Sequence, residues 1–222
     1  FHCHHCGLKG GVGGARPTHE TRPPLRAAAY RTPTLPERRA VTDWLLGWFA
    51  KRGIPEDVVR EFGCFETERR MPGEAGWVRS IAFPYIVGGV TANIKYRADI
   101  VTDAGPAKVM VQEKDALPCL FNADQIAGDE LIFAEGETDV MSFAAAGYRS
   151  VVSLANGAGR EAKFNPHDKR FAPLSTHADA LVKVKKILIA TDAVEAGLWA
   201  AADVAFDDLP GRFAFVRSPA RA

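Results

Sequence analysis

The chain has 222 residues, 47% of them hydrophobic and 25% charged, with a formal net charge of +1. Its length and apolar share suffice for one sizeable domain with appendages, and its balanced charge excludes a global basic signature of nucleic-acid binding. Any such role has to come from a local face.

No run is long and apolar enough to span a membrane, and the N-terminus carries no signal-peptide pattern. The cytoplasm is therefore the expected place, with no membrane partner. Of the four cysteines, Cys3, Cys6, Cys64 and Cys119, only the first two show a paired spacing. That reads as half a metal knuckle in a reducing compartment rather than a disulfide framework. The chain starts at Phe1 without a methionine and stops at Ala222, which predicts a fragment truncated at both ends.

Residues 1–12 form a stub rich in Cys and His, expected to be a partial zinc-binding element. A structural zinc site takes four ligands, commonly as two pairs. One pair is present; His2, His4 or His5 could complete a site, but neighbouring residues on one short turn rarely converge tetrahedrally, so a truncated site is the expectation. Residues 13–36 are rich in Gly, Pro, Thr and Arg, without apolar periodicity, and predict a flexible basic linker. Arg16, Arg22, Arg26 and Arg31 fit either a solvated tether or an arm touching phosphates.

Residues 37–75 predict a helical segment. Val41, Trp44, Leu45, Trp48 and Phe49 fall on one apolar stripe, Gly53 ends it, and Pro55 starts a shorter helix with Val58, Val59 and Phe62. Residues 76–128 predict an antiparallel lobe with strands at 78–84, 90–96 and 108–112, and Gly88-Gly89 is a hairpin signal. Alternation there puts Lys95 and Arg97 on one face, with Ile94 and Tyr96 on the other. Cys64 and Cys119 read as ordinary apolar residues.

Residues 129–222 predict an α/β core. Strands are expected at 130–134, 150–154, 186–191 and 213–217, and helices at 138–147 and 195–206, with a less regular stretch at 160–182. Strands alternating with helices argue a mainly parallel sheet with right-handed crossovers. Within it, Leu131-Ile-Phe-Ala-Glu-Gly-Glu-Thr-Asp139 is an apolar strand that stops at Glu135, with Gly136 expected to permit a sharp turn into a helix. Lys186-Ile-Leu-Ile-Ala-Thr-Asp192 repeats the arrangement. Ligands collect at the C-terminal edge of such sheets, and two strand-end carboxylates suit Mg²⁺, which prefers hard oxygen ligands. Asp139, one helical turn on, fits either the acidic site or the start of the helix. Ser153-Leu-Ala-Asn-Gly157 reads as a tight turn at the same edge. No Gly-Lys-Ser/Thr occurs, so a P-loop is excluded.

Glu135-Gly-Glu-Thr-Asp139, Val151-Val-Ser-Leu-Ala-Asn-Gly-Ala158 and Ile189-Ala-Thr-Asp192 through Gly197 resemble the TOPRIM domain of phage primase-helicases and bacterial DNA primases. The resemblance extends in the same order to Ile81–Tyr85, Asn93–Arg97, Leu120-Phe-Asn122 and the Phe1–Gly7 stub, and covers most of the chain. It implies a TOPRIM-type core preceded by a small antiparallel and helical lobe and a zinc-ribbon remnant at Cys3 and Cys6. It implies a DNA primase, a nucleotidyltransferase that makes RNA primers on a single-stranded DNA template from nucleoside triphosphates. Glu135, Asp139 and Asp192 would be catalytic, with Glu135 and Asp192 holding Mg²⁺ or Mn²⁺. Lys95 and Arg97 would hold template or nucleotide phosphates. Zn²⁺ is expected only if Cys3 and Cys6 belong to a complete site in a longer protein. The helicase would act in trans or as a missing C-terminal domain.

The chain departs from this family at Asp192-Ala-Val-Glu-Ala-Gly197, where Val194 replaces a metal-ligating aspartate. The family's third acidic cluster is also missing, and Glu195 is not expected to substitute. Impaired catalysis is the corresponding expectation, and a catalytically inactive single-stranded nucleic-acid-binding module is the alternative.

Overall fold

The computed structural model describes residues 30–35, 40–102, 105–156, 169–191 and 213–217. The linker before Tyr30, the Cys3 and Cys6 stub, Asp192, Val194 and the helix expected at 195–206 lie outside the described residues. The architecture is mixed α/β, with one antiparallel and one parallel four-stranded sheet.

The helical stripe forms as its periodicity predicts. Helix α1 runs Asp43–Ala50, and Thr42 caps it by accepting the Leu45 N–H at 3.2 Å. Leu45 and Phe49, four residues apart, are fully buried. Helix α2, Glu56–Glu61, buries Val58 and Val59 and ends before Gly63, whose φ of 63° is the left-handed geometry of a helix stop.

The antiparallel sheet consists of β1 (Phe65–Arg70), β2 (Trp77–Val87), β3 (Val90–Thr102) and β4 (Gly105–Gln112), in that spatial order. Strand β1 lies in the stretch expected to be helical. Its sequence, Phe-Glu-Thr-Glu-Arg-Arg, carries one deeply buried side chain, so no apolar alternation announced it. Pairing along β2, from Phe65 opposite Ala82 to Arg70 opposite Trp77, makes it an edge strand. The Gly88-Gly89 hairpin is present, with φ of 61° and 76°. Such a turn needs two left-handed residues, and the Asp124 carboxylate accepts both glycine N–H groups at 2.7 and 2.9 Å.

The parallel sheet has the order β6 (Val151–Ser153), β5 (Glu130–Ala134), β7 (Lys186–Thr191), β8 (Phe213–Arg217). Helix α3, Glu137–Ala145, connects β5 to β6. In the stretch expected to be irregular, a 3-10 turn at Lys169–Phe171 leads into two short helices, α4 (Ala172–Thr176) and α5 (Ala178–Leu181). No helix among the described residues is long and apolar enough to cross a membrane.

One apolar cluster unites the two sheets. Leu45, Phe49, Val58, Val59, Ile81, Phe83 and Tyr85 from the first lobe pack together with Ala134, Val140, Met141 and Val151 from the second. The antiparallel lobe has a separate cluster on its other face around Phe65, Ile94 and Tyr96. The parallel sheet has its own around Leu131, Phe133, Val152 and Ile187. The shared cluster packs the alternate residues Ile81, Phe83 and Tyr85 of β2 together with Val140 and Met141 of α3, and that junction carries the site.

Candidate active site at the junction of the two sheets

Strand β5 is flanked by β6 and β7, both parallel to it, with Ala134 level with Ser153 and Ala190. Glu135, half-buried, follows directly at the C-terminal end of β5. The last described residue of β7 is Thr191, which precedes Asp192 in the sequence. The sheet therefore has the strand adjacency that two strand-end carboxylates require, while the convergence of Glu135 with Asp192 falls outside the described residues.

Gly136 does not make a left-handed turn. Its φ of −149° and ψ of 179° are extended backbone open to any residue, so its place is that of a small N-cap for α3. The Asp139 carboxylate accepts the Gly136 N–H at 3.0 Å, which closes the first turn of the helix and places a negative charge at the positive end of its dipole. Of the two readings of Asp139 from sequence, this geometry is that of the helix start.

Glu137 occupies the centre of the junction, and sequence reasoning gave it no role. Its side chain is 6% exposed and that of Lys95 is 7% exposed, with Lys95 Nζ donating to Glu137 Oε1 at 2.7 Å. The Tyr85 hydroxyl donates to the same oxygen, and Lys95 Nζ also donates to the carbonyl of Ala155. The register of β2 against β3, with Phe83 opposite Lys95 and Tyr85 opposite Asn93, puts Tyr85 and Lys95 on one face of the antiparallel sheet. Opposed to that face are α3 and the turn after β6. Four groups from four elements thus meet around one buried ion pair. Burial, followed by the Glu137 charge, raises the Tyr85 hydroxyl well above its ordinary range, so it remains a donor at any physiological pH. The same two causes raise the Cys64 thiol. Cys119 is pushed up to about 12 by burial and then by Asp124.

A polar chain runs beside the pair. Asn93 donates to Gln112 at 2.8 Å, and Gln112 donates to Asn156 at 2.7 Å. It ties the turn after β6 to β3 and β4.

Arg97, two residues along β3 from Lys95, has a different setting. Its guanidinium bonds Asp99 Oδ1 at 3.1 and 2.9 Å and lies 4.6 Å from the Trp48 ring centroid. Arg52 lies 3.4 Å from the same ring, and Trp48 Nε1 donates to Asp99 at 2.9 Å. Burial alone would raise the Asp99 carboxyl, but the bonds from Trp48 and Arg97 outweigh it and hold it below its ordinary value. Burial and then the Arg97 charge lower Arg52. Lys95 and Arg97 share a face as expected, but Lys95 is committed to the interior of the junction and Arg97 to an aromatic and acidic cluster at its rim.

Among the described residues no group of three or more His, Cys, Asp and Glu gathers as a metal cluster. An open pocket of about 190 Å³, lined by Phe62, Pro84, Phe121 and Asp124 among others, includes none of the candidate site residues.

No family model matches the chain. In sequence it is 29% identical over 193 residues to the Twinkle homolog protein, chloroplastic/mitochondrial, of Arabidopsis thaliana, covering 84% of this chain and 25% of that one. It is 32% identical over 118 residues to the Primase homolog protein of Arabidopsis thaliana, covering 50% of this chain and 33% of that one. The chain thus spans a quarter to a third of the curated relatives it matches. In structure it superposes on the zinc-binding and RNA polymerase domains of Aquifex aeolicus primase with a TM-score of 0.58 at 18% identity, over 81% of this chain and 50% of that one. It superposes on the primase fragment of the bacteriophage T7 primase-helicase protein with a TM-score of 0.57 at 18% identity, over 98% and 81%. A DnaG primase catalytic domain bound to ssDNA matches with a TM-score of 0.51 at 17% identity, over 78% and 65%. The chain has a primase fold.

Proposed function

We propose that the chain is the RNA-polymerising part of a DNA primase, with residues 129–222 as its TOPRIM domain. The observation that carries this reading is a carboxylate, Glu135, at the C-terminal end of β5, beside a parallel strand that leads in sequence to Asp192. The primase fold and the two plant relatives support it. Glu135 and Asp192 are the residues to hold Mg²⁺ or Mn²⁺, which when bound supplies charge neutralisation at the triphosphate of an incoming nucleotide. Lys95, at the junction, and Arg97, at its rim, are the cations this reading assigns to nucleotide or template phosphates. The template is single-stranded DNA, as in the ssDNA-bound neighbour. A helicase partner accords with the primase-helicase neighbour. A zinc module completed from outside the chain, using Cys3 and Cys6, belongs to the same reading, as does a cytoplasmic location.

A second reading is favoured by one residue, Val194, which stands where a metal-ligating aspartate is expected. Under it the chain binds single-stranded nucleic acid without making primers. Templated synthesis of short RNA on single-stranded DNA, with and without Mg²⁺ or Mn²⁺, separates the two. The primase reading expects metal-dependent product that is lost in Glu135→Gln. Metal-independent product, or product unchanged in Glu135→Gln, would overturn the active-site assignment. Binding without product in the wild type, together with product or tightened metal binding in Val194→Asp, would favour the second reading.

A further inference from the structure

We infer that Glu137 is a positioning residue that sets the Lys95 ammonium at the junction of the two lobes. An ammonium has three N–H donors. Two of them are directed within the described residues, one to Glu137 Oε1 and one to the Ala155 carbonyl. The third has no partner among the described residues and is the donor for an anionic ligand, which for a primase is a phosphate oxygen of the nucleotide or the template. The inference in this respect rests on the primase reading. A four-carbon stem with a mobile head loses much freedom on binding, and fixing two donors beforehand removes most of that loss.

The carboxylate is itself held from three sides. Glu137 is the first residue of α3, so its backbone is fixed by the helix start that Asp139 closes. Tyr85 donates to it from β2, and Lys95 donates from β3. Among the described residues, Tyr85 and Cys64 face the pair, both shifted towards their neutral forms by burial and by the Glu137 charge. Glu137 is therefore the negative partner for Lys95 among these groups. Removing its charge leaves the ammonium buried and uncompensated, and the flexible stem can then carry it out to solvent.

A charge-removing substitution separates a positioning role from generic packing. Glu137→Gln keeps the size of the side chain and an oxygen to accept from Tyr85, but it removes the charge. In that variant, Lys95 should react with an amine-acylating reagent at least about tenfold faster than in the wild type, because the pairing that holds the ammonium inside is gone. The buried thiols of Cys64 and Cys119 serve as internal reporters of global opening. They should stay protected from a thiol reagent. Unchanged Lys95 labelling, or Lys95 and both thiols opening together, would overturn the inference. In primer synthesis the variant should raise KM for the nucleoside triphosphate by about tenfold with little change in kcat. Adding Glu137→Gln to Lys95→Met should then change KM no further, because the effect passes through Lys95. An equal further rise in the Lys95→Met background would also overturn it. Failure of the wild type to make primers would count against the primase reading, while the labelling result would still decide the role of Glu137.

Discussion

Among the described residues, the ion pairs Lys95–Glu137 and Arg149–Glu61 cross from one lobe to the other, and they are nearly matched in length at 2.7 and 2.5 Å. Their surroundings are opposite. The first has both side chains under one-tenth exposed, while the second has 52% and 51% of its side chains in solvent. In the first, the desolvation of each charge is offset only by its partner and by Tyr85 and Ala155, so the four groups form a unit that fails as a whole. In the second, water can replace either partner. Distance alone would rank the two as equals; burial decides which one sets the relation between the lobes.

The comparison breaks most sharply at the buried pair. Replacing Glu137 with Ala, or Lys95 with Met, should destabilise the protein by about 3–5 kcal/mol in urea unfolding, the usual cost of leaving one buried charge without its partner. A loss below about 1 kcal/mol would mean that water reaches the pair.

A smaller effect belongs to the hydroxyl that supports it. Tyr85→Phe removes one donor to a charged acceptor and should cost about 1.5–3 kcal/mol, with the fold intact by circular dichroism. A neutral result would remove Tyr85 from the unit.

Asp139 sharpens the contrast between the acid that caps α3 and the acid within it. Asp139→Ala should cost about 1 kcal/mol by loss of the bond from the Gly136 N–H, and Asp139→Asn, which keeps an acceptor oxygen, should recover most of that. If both variants instead abolish metal-dependent synthesis at full stability, Asp139 belongs to the catalytic set.

His177, at the start of α5, titrates in the parallel lobe away from the pair. Burial lowers its pKa from the ordinary 6.5, with Asp124 opposing. The neutral ring is favoured in the fold, so the unfolded chain binds more protons as pH falls below about 6.5. The stability contribution is full above that pH and declines as the pH drops towards the lowered folded value. His177→Gln should flatten this part of the stability–pH curve, and an unchanged slope would assign the decline to other groups.

At the surface, Arg149→Ala should leave the Tm unchanged within error. A clear drop that shrinks as salt is raised would show that the exposed pair also holds the lobes.

The lobes also differ in how much of them could be read in advance. In the parallel lobe, strands β5 and β7 and the acid ending β5 follow from short apolar runs that stop at carboxylates, a local signal within a few residues. The Gly88-Gly89 hairpin is local in the same way. Strand β1 was hidden because Glu66, Glu68, Arg69 and Arg70 mask its alternation, and only pairing with β2 makes it a strand. Glu137 was hidden for a different reason. It lies between two acids with visible roles, and its partners Tyr85 and Lys95 are 52 and 42 residues away. One signal did exist. Lys95 stands between Ile94 and Tyr96 in a strand covered on both sides, and a lysine so placed calls for a carboxylate somewhere in the chain. Which carboxylate answers it depends on how β3 packs against α3, and no local pattern encodes that packing.

The two lobes are clamped through the buried Lys95–Glu137 charge pair. A double-mutant cycle in urea on the wild type, Lys95→Met, Glu137→Gln and the combined variant measures this directly. The combined variant should lose at least about 2 kcal/mol less than the sum of the single losses, because the second substitution removes the charge that the first left unpaired. Losses that add to within about 0.5 kcal/mol would show that Lys95 and Glu137 act independently, and would contradict the clamp.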